Sequence, residues 1–466
     1  MMPNLPSFTS FLDTTNLLSP PQRRGEFNVF ACFKAFRCFF VFLFTVQLQA
    51  QNPPVLTIGD AVQTALANNF NLQINRLTIE SAQLNNHPGE AGMLPTVGLQ
   101  TGTSVLVNNI SQKFVNGTEI NRAGVLSSNS QFAVNAVWTL FDGFRMSAAR
   151  QRLRETVTAQ EQLLSAQMLQ TVRSVTELYL DIVRQQQLLK TADTIIAITN
   201  ERLLLSKMRF ESGLSPKMDY LQAQTDVNTQ FAQKLAQLNA LQQTKENLNL
   251  LMGKNADEPF AITDDAALYA NWVLPDSFNA NANPNVQLLK TQMNITQLQQ
   301  QEIEAAKYPQ VDLNGAYNFN FNRSQAGFSL YNLSTGPVAG INVTWNLFNG
   351  GAVKRAAAQN LIQLQNLKTT VELTEQQLNA QWVQAQRNLA FAQNLAKLEN
   401  QNMETAAENM AISLERLRAG VANSLELRQA QQSYEQSLVR KTEALFQVKL
   451  AEIALLFLQG SLLKEE

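Results

Sequence analysis

The strongest constraint on this chain is an internal duplication, visible in a nine-residue phrase that occurs twice. The first copy, AVWTLFDGF, occupies Ala136–Phe144, and the second, VTWNLFNGG, occupies Val343–Gly351. Repetition over a long stretch at a fixed separation indicates that one supersecondary unit is built twice. The matching residues, each pair 207 positions apart, are Trp138 with Trp345, Leu140 with Leu347, Phe141 with Phe348 and Gly143 with Gly350.

The repeat extends well beyond this phrase. RFESGLSPKMDYLQAQ, from Arg209 to Gln224, matches RLRAGVANSLELRQAQ, from Arg416 to Gln431, again 207 positions later. On the N-terminal side the separation is 214, because Pro95 matches Pro309, so the first copy has seven additional residues before Trp138. The offsets predict three segments of the mature chain: a first repeat over 51–255, a linker over 256–283 and a second repeat over 284–466.

Residues 1–50 are typical of an export signal that is removed from the mature chain. Basic residues precede an apolar run, Cys38–Val46, and a small-residue cleavage site ends at Ala50. The run is too short to cross a bilayer, which requires ~20 residues. Both cysteines, Cys32 and Cys38, lie in this segment, so we expect no disulfide and no thiolate metal site in the mature chain. The long, polar start suggests that translation begins further along the chain.

Each repeat contains two stretches in which apolar and polar residues alternate, which is the period of a β-strand with two different faces. Such strands suit a membrane barrel, with lipid outside and water inside, or a soluble sandwich with one face in the core. Surface loops are predicted at Asn108–Ser130 and Asn322–Pro337. The apolar faces comprise Val311, Leu313, Tyr317, Phe319 and Phe321; Ile341, Val343, Trp345 and Leu347; Phe132, Val134, Ala136, Trp138 and Leu140; Val97–Asn108 alternates more weakly.

A very long helix follows the second strand of each repeat. Residues 350–415 contain no proline and no glycine after Gly351, so a continuous helix would be roughly 100 Å long. Spacings of three and four along it form a coiled-coil seam. The seam positions are Ala357, Leu361, Leu364, Lys368, Val371, Glu375, Leu378, Trp382, Ala385, Leu389, Ala392, Ala396, Glu399, Met403, Ala406, Met410, Ser413 and Leu417. The seam of the first repeat is rougher (Met168, Val175, Leu178, Ile182, Leu189, Ala192, Ile196, Leu203).

Strand number constrains the assembly. An open sheet edge in lipid leaves backbone groups unpaired at several kcal/mol each, so a membrane barrel must close. The smallest bacterial barrels have about eight strands, and one chain offers four. Three chains would supply twelve. The predicted fold is therefore mainly α with β: a long antiparallel coiled-coil helical tunnel, with four strands per chain contributing to a trimeric twelve-stranded transmembrane β-barrel.

These features together resemble the TolC-like outer-membrane efflux proteins, also called outer membrane factors. The resemblance covers about residues 55–462 and includes the opening LTIGDAVQTALANNFNLQ, from Leu56 to Gln73, both strand-to-helix phrases and both R-x-x-x-G turns. It implies a homotrimer in the bacterial outer membrane whose helical tunnel crosses the periplasm. It also implies a passive exit duct, joined by a periplasmic adaptor (membrane fusion) protein to an inner-membrane pump such as one of the RND or ABC type.

The resemblance also assigns candidate site residues. The R-x-x-x-G turns become the tips that dock the adaptor, and acidic residues near them become candidates for a constriction. The strand-to-helix phrases become swivels where the chain leaves the membrane. Carried over by match, the tip residues are Arg209, Gly213, Leu214, Ser215, Arg416, Gly420, Val421 and Ala422; the constriction candidates are Asp219 and Glu426; the swivel residues are Asp142, Gly143, Asn349 and Gly350.

Other functional classes find less support in the sequence. The formal net charge is −1, which does not favour nucleic-acid binding. The sequence contains no HExxH, no phosphate-binding loop and no GxSxG motif, so we expect neither an enzyme nor a metal or cofactor site. A trimeric coiled-coil structural or adhesive surface protein is the alternative, although it does not explain duplication of the whole strand-plus-helix unit. Few charges occur along the seam, so we expect the tip helices to slide past one another at modest cost.

Overall fold

The structure is a computed structural model that describes residues 54–262, 265–269, 272–275, 277–325 and 329–463. The predicted export signal, with its cysteines and its cleavage site, lies outside these residues. The helices and strands are, in chain order, α1 (Ile58–Asn68), α2 (Phe70–Asn85), β1 (Thr96–Lys113), β2 (Glu119–Phe141), α3 (Arg145–Glu211), α4 (Lys217–Leu251), α5 (Pro284–Ala305), β3 (Gln310–Ser324), β4 (Tyr331–Thr344), α6 (Ala352–Arg418) and α7 (Ser424–Gln459). Three short 3-10 helices, Asp265–Tyr269, Ala280–Ala282 and Ser461–Leu463, complete the described elements.

The predicted duplication is confirmed element by element. The long helices α3 and α6 each contain 67 residues and begin 207 positions apart. The first strands of the two hairpins, β1 and β3, begin 214 positions apart. The seven additional residues of the first repeat lie in its hairpin, whose strands contain 18 and 23 residues against 15 and 14 in the second.

Equivalent asparagines join the start of each short helix to the end of the return helix of the same repeat. The side chain of Asn69 caps α2, and its Nδ2 donates a hydrogen bond of 2.8 Å to the carbonyl oxygen of Leu251. In the second repeat Asn283 caps α5 and donates to the carbonyl oxygen of Leu458 at 3.1 Å. Asparagine is favoured at the N-cap because its side-chain oxygen accepts from a free backbone N–H. Here its amide nitrogen also fixes a second helix.

The coiled-coil prediction for the second repeat is confirmed in detail. All ten buried residues of α6 occupy predicted seam positions: Ala357, Val371, Trp382, Ala385, Leu389, Ala392, Glu399, Ala406, Ser413 and Leu417. Helix α6 packs against α7, which has 36 residues against 67 in α6, and it also contacts α5. In α3 only Val175, Ile182 and Ile196 of the eight predicted seam residues are buried. The reason is that α3 contacts α1, α2, α4, α5 and α7, so it is covered on more than one side.

The four strands form one antiparallel sheet in the order β1-β2-β3-β4. The sheet leaves β1 and β4 as its outer strands, without a strand partner among the described residues. The loop predictions were too long, because β1 and β2 pair as far as Lys113 with Glu119, and β3 and β4 pair as far as Arg323 with Tyr331. Most of Asn108–Ser130 and Asn322–Pro337 is therefore strand.

The main hydrophobic core lies where α1, the middle of α3 and the ends of α4 and α7 meet. Tyr179 of α3 is fully buried there, and its hydroxyl donates to the carbonyl oxygen of Leu56 at 3.1 Å. Phe260 and Ile262, from the segment after α4, join the same cluster. A second cluster surrounds Trp382 of α6, whose ring stacks on Phe278 at 5.2 Å between centroids. These cores brace the long helices partway along their length.

Candidate functional site

Two corners, Asp142–Phe144 and Asn349–Gly351, connect the sheet to the long helices. Each has two consecutive residues in the left-handed region: Gly143 and Phe144 both have φ of 70°, and Gly350 and Gly351 have φ of 64° and 75°. Glycine adopts this conformation without the steric cost that a side chain brings. The polar residue that precedes each glycine then caps the helix. Asp142 accepts from the backbone N–H of Met146 at 3.1 Å, and Asn349 from that of Ala352 at 3.1 Å.

The two corners differ in their surroundings. Asp142 is buried, and a Cβ added to Gly143 would lie 2.5 Å from the carbonyl oxygen of Ala305 and 2.8 Å from Cβ of Tyr308. The end of α5 therefore closes over the first corner. A Cβ added to Gly350 would have no described neighbour within 4 Å outside its own chain neighbours. The second corner is open within one chain.

A tryptophan fixes the end of the strand that leads into each corner. The indole Nε1 of Trp138 donates to the carbonyl oxygen of Met93 at 3.0 Å, and that of Trp345 donates to Lys307 at 3.0 Å. Both acceptors lie in the connection between a short helix and the first strand of a hairpin. Both indole rings remain partly exposed, at 42% and 57%. The repeated tryptophan thus joins strand end to helix end and leaves its ring at the surface.

The two R-x-x-x-G turns form the tips of the helical hairpins. In the first, Gly213 has φ of 74° and the N–H of Leu214 donates to the carbonyl oxygen of Arg209 at 2.8 Å. In the second, Gly420 has φ of 77° and Val421 donates to Arg416 at 3.0 Å. This is the glycine-terminated helix end in which a left-handed residue lets the chain reverse. The motif is therefore explained by backbone geometry, and it leaves the next apolar side chain exposed.

The predicted tip residues divide into exposed and enclosed ones. Leu214 and Val421 expose 71% and 69% of their surface, whereas Ser215 is half-buried and Ala422 is buried. Arg209 reaches across to the other tip, where its Nη1 donates to the carbonyl oxygen of Leu417 at 3.3 Å. The two tips of one chain therefore lie side by side.

The two acidic candidates occupy the first turns of the return helices. Asp219 lies in the first turn of α4, and Glu426 in the first turn of α7. Glu426 forms an ion pair with Arg416 at 3.2 Å, so the structure brings together two residues that the sequence assigned to different roles. Asn423 accepts from the N–H of Glu426 at 2.8 Å and thereby caps α7.

A buried charge cluster behind the tips was missed by the sequence analysis. Asp226 of α4 lies between Arg202 of α3 and Arg428 of α7, and its carboxylate bonds both guanidinium groups; the distance to Arg428 Nε is 3.0 Å. The Arg202 side chain is only 3% exposed. Burial lowers the pKa of Arg202, and the Asp226 carboxylate opposes that shift. The internal repeat did not indicate this cluster, because the positions equivalent to Arg202, Asp226 and Arg428 hold Asn409, Ser433 and Leu221.

The expectation that the tip helices slide past one another at modest cost did not include ion pairs that join the helices beside the seam. Arg418 of α6 pairs with Glu201 of α3 and with Glu415 of its own helix. Hydrogen bonds to the carboxylates of Glu201, the larger cause, and of Glu415 raise the pKa of Arg418. Arg440 of α7 lies 3.0 Å from Glu399 of α6. Burial raises the pKa of Glu399, but hydrogen bonds from Arg440 and Asn402 outweigh it and the pKa is lowered. Sliding one helix past another must break these pairs.

One face of the sheet is apolar and exposed across all four strands. Register aligns the apolar residues, as in Phe132 of β2 opposite Phe319 of β3. On the outer strands, Leu99 exposes 65% and Val343 exposes 62% of their surface. Contiguous apolar patches of this extent on a protein surface mark an interaction site or a membrane contact.

Within the described part of the chain, no helix is both long and apolar enough to cross a membrane. Nor does any group of three or more His, Cys, Asp or Glu side chains in the described ranges have the arrangement needed to hold a metal ion.

The sequence model of the outer membrane efflux protein family matches residues 61–254 and 279–461, which is more than half of the chain. The chain belongs to the outer membrane efflux protein family. Among curated proteins, no sequence matches this outer membrane efflux protein. The predicted resemblance to TolC-like proteins is confirmed, and the adhesive alternative is not favoured.

Solved structures show the same fold at low sequence identity. CusC superposes with a TM-score of 0.73 at 16% identity, covering 89% of this chain and 95% of its own. The CmeC outer membrane channel of Campylobacter jejuni gives 0.72 at 13% identity, with 96% and 94% covered. The MtrE outer membrane channel of Neisseria gonorrhoeae, in its open state, gives 0.67 at 14% identity, with 88% and 95% covered. The outer membrane efflux protein thus has the fold of these channels. It is a transport protein of the bacterial outer membrane and not an enzyme.

Proposed function

We propose that three copies of this chain assemble into a passive exit duct, with a closed twelve-stranded barrel in the outer membrane and a helical tunnel in the periplasm. The observation that carries the proposal is the four-stranded sheet. It has one exposed apolar face, and its two outer strands have no strand partner within the described part of the chain, an arrangement that lipid would not tolerate. Four strands are too few for a barrel, and three chains supply twelve.

The helical hairpins extend the duct away from the membrane. A helix of 67 residues is roughly 100 Å long, several times the thickness of a bilayer core. Its surface is rich in Gln and Asn, which suits water on both sides of the tunnel wall. Such a wall binds diverse solutes weakly, so cargo selection falls to the inner-membrane pump, of the RND or ABC type.

The hairpin tips are proposed to dock the periplasmic adaptor protein. Leu214 and Val421 follow equivalent glycines and are exposed, so each chain offers two similar apolar contacts. Three chains would present six. Arg209, Gly213 and Ser215 shape the first contact, and Arg416, Gly420 and Ala422 the second.

Asp219 and Glu426 are proposed to lie near the constriction that closes the idle duct. Glu426 is already paired with Arg416 within one chain, so a ring of three Glu426 side chains would carry less uncompensated negative charge than the sequence alone suggests. Asp142, Gly143, Asn349 and Gly350 are proposed as the swivels at which strand turns into tunnel helix.

The decisive experiment is the mass of the purified protein in detergent, measured by light scattering with the detergent contribution subtracted. A mass of three chains, with conductance in planar bilayers, is expected. A stable monomer in lipid would leave unpaired strand edges and would refute the duct. Cross-linking the two tips of neighbouring chains through introduced cysteines should then abolish export, and unchanged export would contradict gating at the tips.

A further inference from the structure

We infer the residue-level junction between copies of this chain from the junction that the chain makes between its own two repeats. The inference rests on the trimeric assembly proposed above. Within one chain, the second strand of the first repeat, β2, pairs with the first strand of the second repeat, β3. The outer strands β4 and β1 are their repeat equivalents, so β4 of one copy should pair with β1 of the next in the same relative register.

The offsets of the duplication convert the internal register into an intermolecular one. Val137 of β2 lies opposite Asn314 of β3. The equivalent residues are Thr344, which is 207 positions after Val137, and Gln100, which is 214 positions before Asn314. The geometry therefore points to Thr344 of one copy opposite Gln100 of the next, with Trp345 opposite Leu99 as its neighbour.

The alternation of side chains agrees with this register. It sets Ile341 and Val343, from the apolar face of β4, and Trp345, just beyond the end of β4, opposite Thr103, Thr101 and Leu99, which lie on the apolar side of β1. It also sets Asn342 opposite Gly102, polar side to polar side. A slip of one residue would place apolar residues opposite polar ones across the whole junction.

The open corner and the exposed helix face fit the same partner. The end of α5 covers Gly143, through Ala305 and Tyr308. By equivalence, the carbonyl oxygen of Ala91 and the side chain of Leu94 from the next copy should cover Gly350. Leu94 is 48% exposed in one chain.

The short helix α2 also lacks a cover that its counterpart has. Phe70, Ile74, Leu77 and Leu84 of α2 expose between 60% and 74% of their surface. Their equivalents in α5 are Pro284, Leu288 and Leu298, which are half-buried, and Thr291, which is buried. Because α5 packs against α6 of its own repeat and α3 of the other, α2 should pack against α6 of the neighbouring copy.

Disulfide trapping tests the register. Every variant carries Cys32→Ala and Cys38→Ala, which removes both cysteines of the chain. The test pair is Thr344→Cys with Gln100→Cys, and the matched control is Val137→Cys with Asn314→Cys, which has the same local geometry inside one chain. Gly98→Cys or Gly102→Cys, each combined with Thr344→Cys, tests slips of two residues, which keep the same face.

After oxidation in isolated outer membranes, denaturing gels separate the outcomes. We expect the test pair to form a covalent trimer with a yield within about twofold of the control, because opposite residues bring their Cβ atoms within disulfide range. The control should remain a single chain. Dominant linkage of a slipped pair would overturn the register while the trimer stands. Linkage of the control alone, with a trimeric mass in detergent, would overturn this junction; a monomeric mass would overturn the assembly itself.

Discussion

Replacement of Asp226 by asparagine should loosen the tips selectively. The substitution keeps the shape of the side chain but leaves two guanidinium groups, Arg202 and Arg428, without their shared carboxylate. Removing one partner of a buried ion pair costs about 3–5 kcal/mol. The Arg428 side chain is 34% exposed and can recover part of its hydration, so we expect the lower end, about 3 kcal/mol. That corresponds to a roughly 100-fold increase in the population of locally opened tips.

Amide hydrogen exchange measures this opening segment by segment. In Asp226→Asn, the tip-proximal parts of α3, α4 and α7 should exchange about 100-fold faster, while the core around Tyr179 stays protected. The matched control is Asp193→Asn, which breaks the ion pair between Asp193 of α3 and Lys234 of α4, at a carboxylate that is 59% exposed. That pair should contribute less than about 1 kcal/mol.

Two results would refute this reasoning. Equal exchange in Asp226→Asn and Asp193→Asn would mean that the buried cluster does not hold the tips. The combined variant Arg202→Met, Asp226→Leu and Arg428→Met removes all three charges, and it should exchange about as slowly as the natural protein, since apolar replacement of a complete buried cluster is often neutral or stabilising. Fast exchange in that variant would show that packing, and not an uncompensated charge, was lost.

Three further predictions concern the corners, pH and the tips. Gly143→Ala should reduce the yield of folded protein on unheated gels far more than Gly213→Ala, because both have positive φ but only Gly143 is closely covered; equal yields would contradict the tight corner. Because the folded-state pKa of Glu399 lies below its ordinary 4.5, its stabilisation is present above that value and is lost as pH falls through the folded value. Glu399→Gln should therefore flatten the fall in melting temperature as the pH drops below the ordinary pKa of a glutamate, which circular dichroism would follow. Leu214→Asp and Val421→Asp should each prevent co-purification of the adaptor without changing the mass in detergent.

Sequence periodicity predicts the second repeat better than the first for a physical reason. Helix α6 buries one stripe, so a single seam accounts for all ten of its buried residues. Helix α3 also packs against α1, α2, α5 and the segment after α4. It therefore buries polar residues such as Thr176 and Gln185 in addition to apolar ones. A helix covered from several directions has no single stripe for the pattern to detect. The corners and tips were predictable because backbone in the left-handed region strongly favours glycine, and a glycine occurs at each of these four positions.

The hairpin lengths were less predictable because the distal part of β2 lacks the alternation of apolar and polar residues that indicates a strand. Residues such as Ser127, Ser128 and Asn129 of β2 carry turn-like composition, yet they pair in continuous register with β1 and β3. These segments are held in strand conformation by backbone hydrogen bonds to the neighbouring strands, and residue composition is a poor predictor of such pairing. The charged contacts were missed for a different reason: they occur once per chain and join residues distant in sequence.

The position of those contacts bears on how the tips can open. Arg209 bonds the main chain of the other tip, Arg418 pairs with Glu201, and Arg428 pairs with Asp226. Each contact joins one repeat to the other. The equivalent of Arg209 is Arg416, which pairs with Glu426 instead, and the positions equivalent to Arg418 and Arg428 hold Glu211 and Leu221. In the proposed trimer the two hairpins of each chain would therefore differ at their tips. If α6 and α7 move as a pair relative to α3 and α4, all three contacts break together, whereas the Arg440–Glu399 pair within the moving hairpin survives. Opening would then be an all-or-none release of each chain's second hairpin, and not the low-cost sliding that the seam sequence suggested.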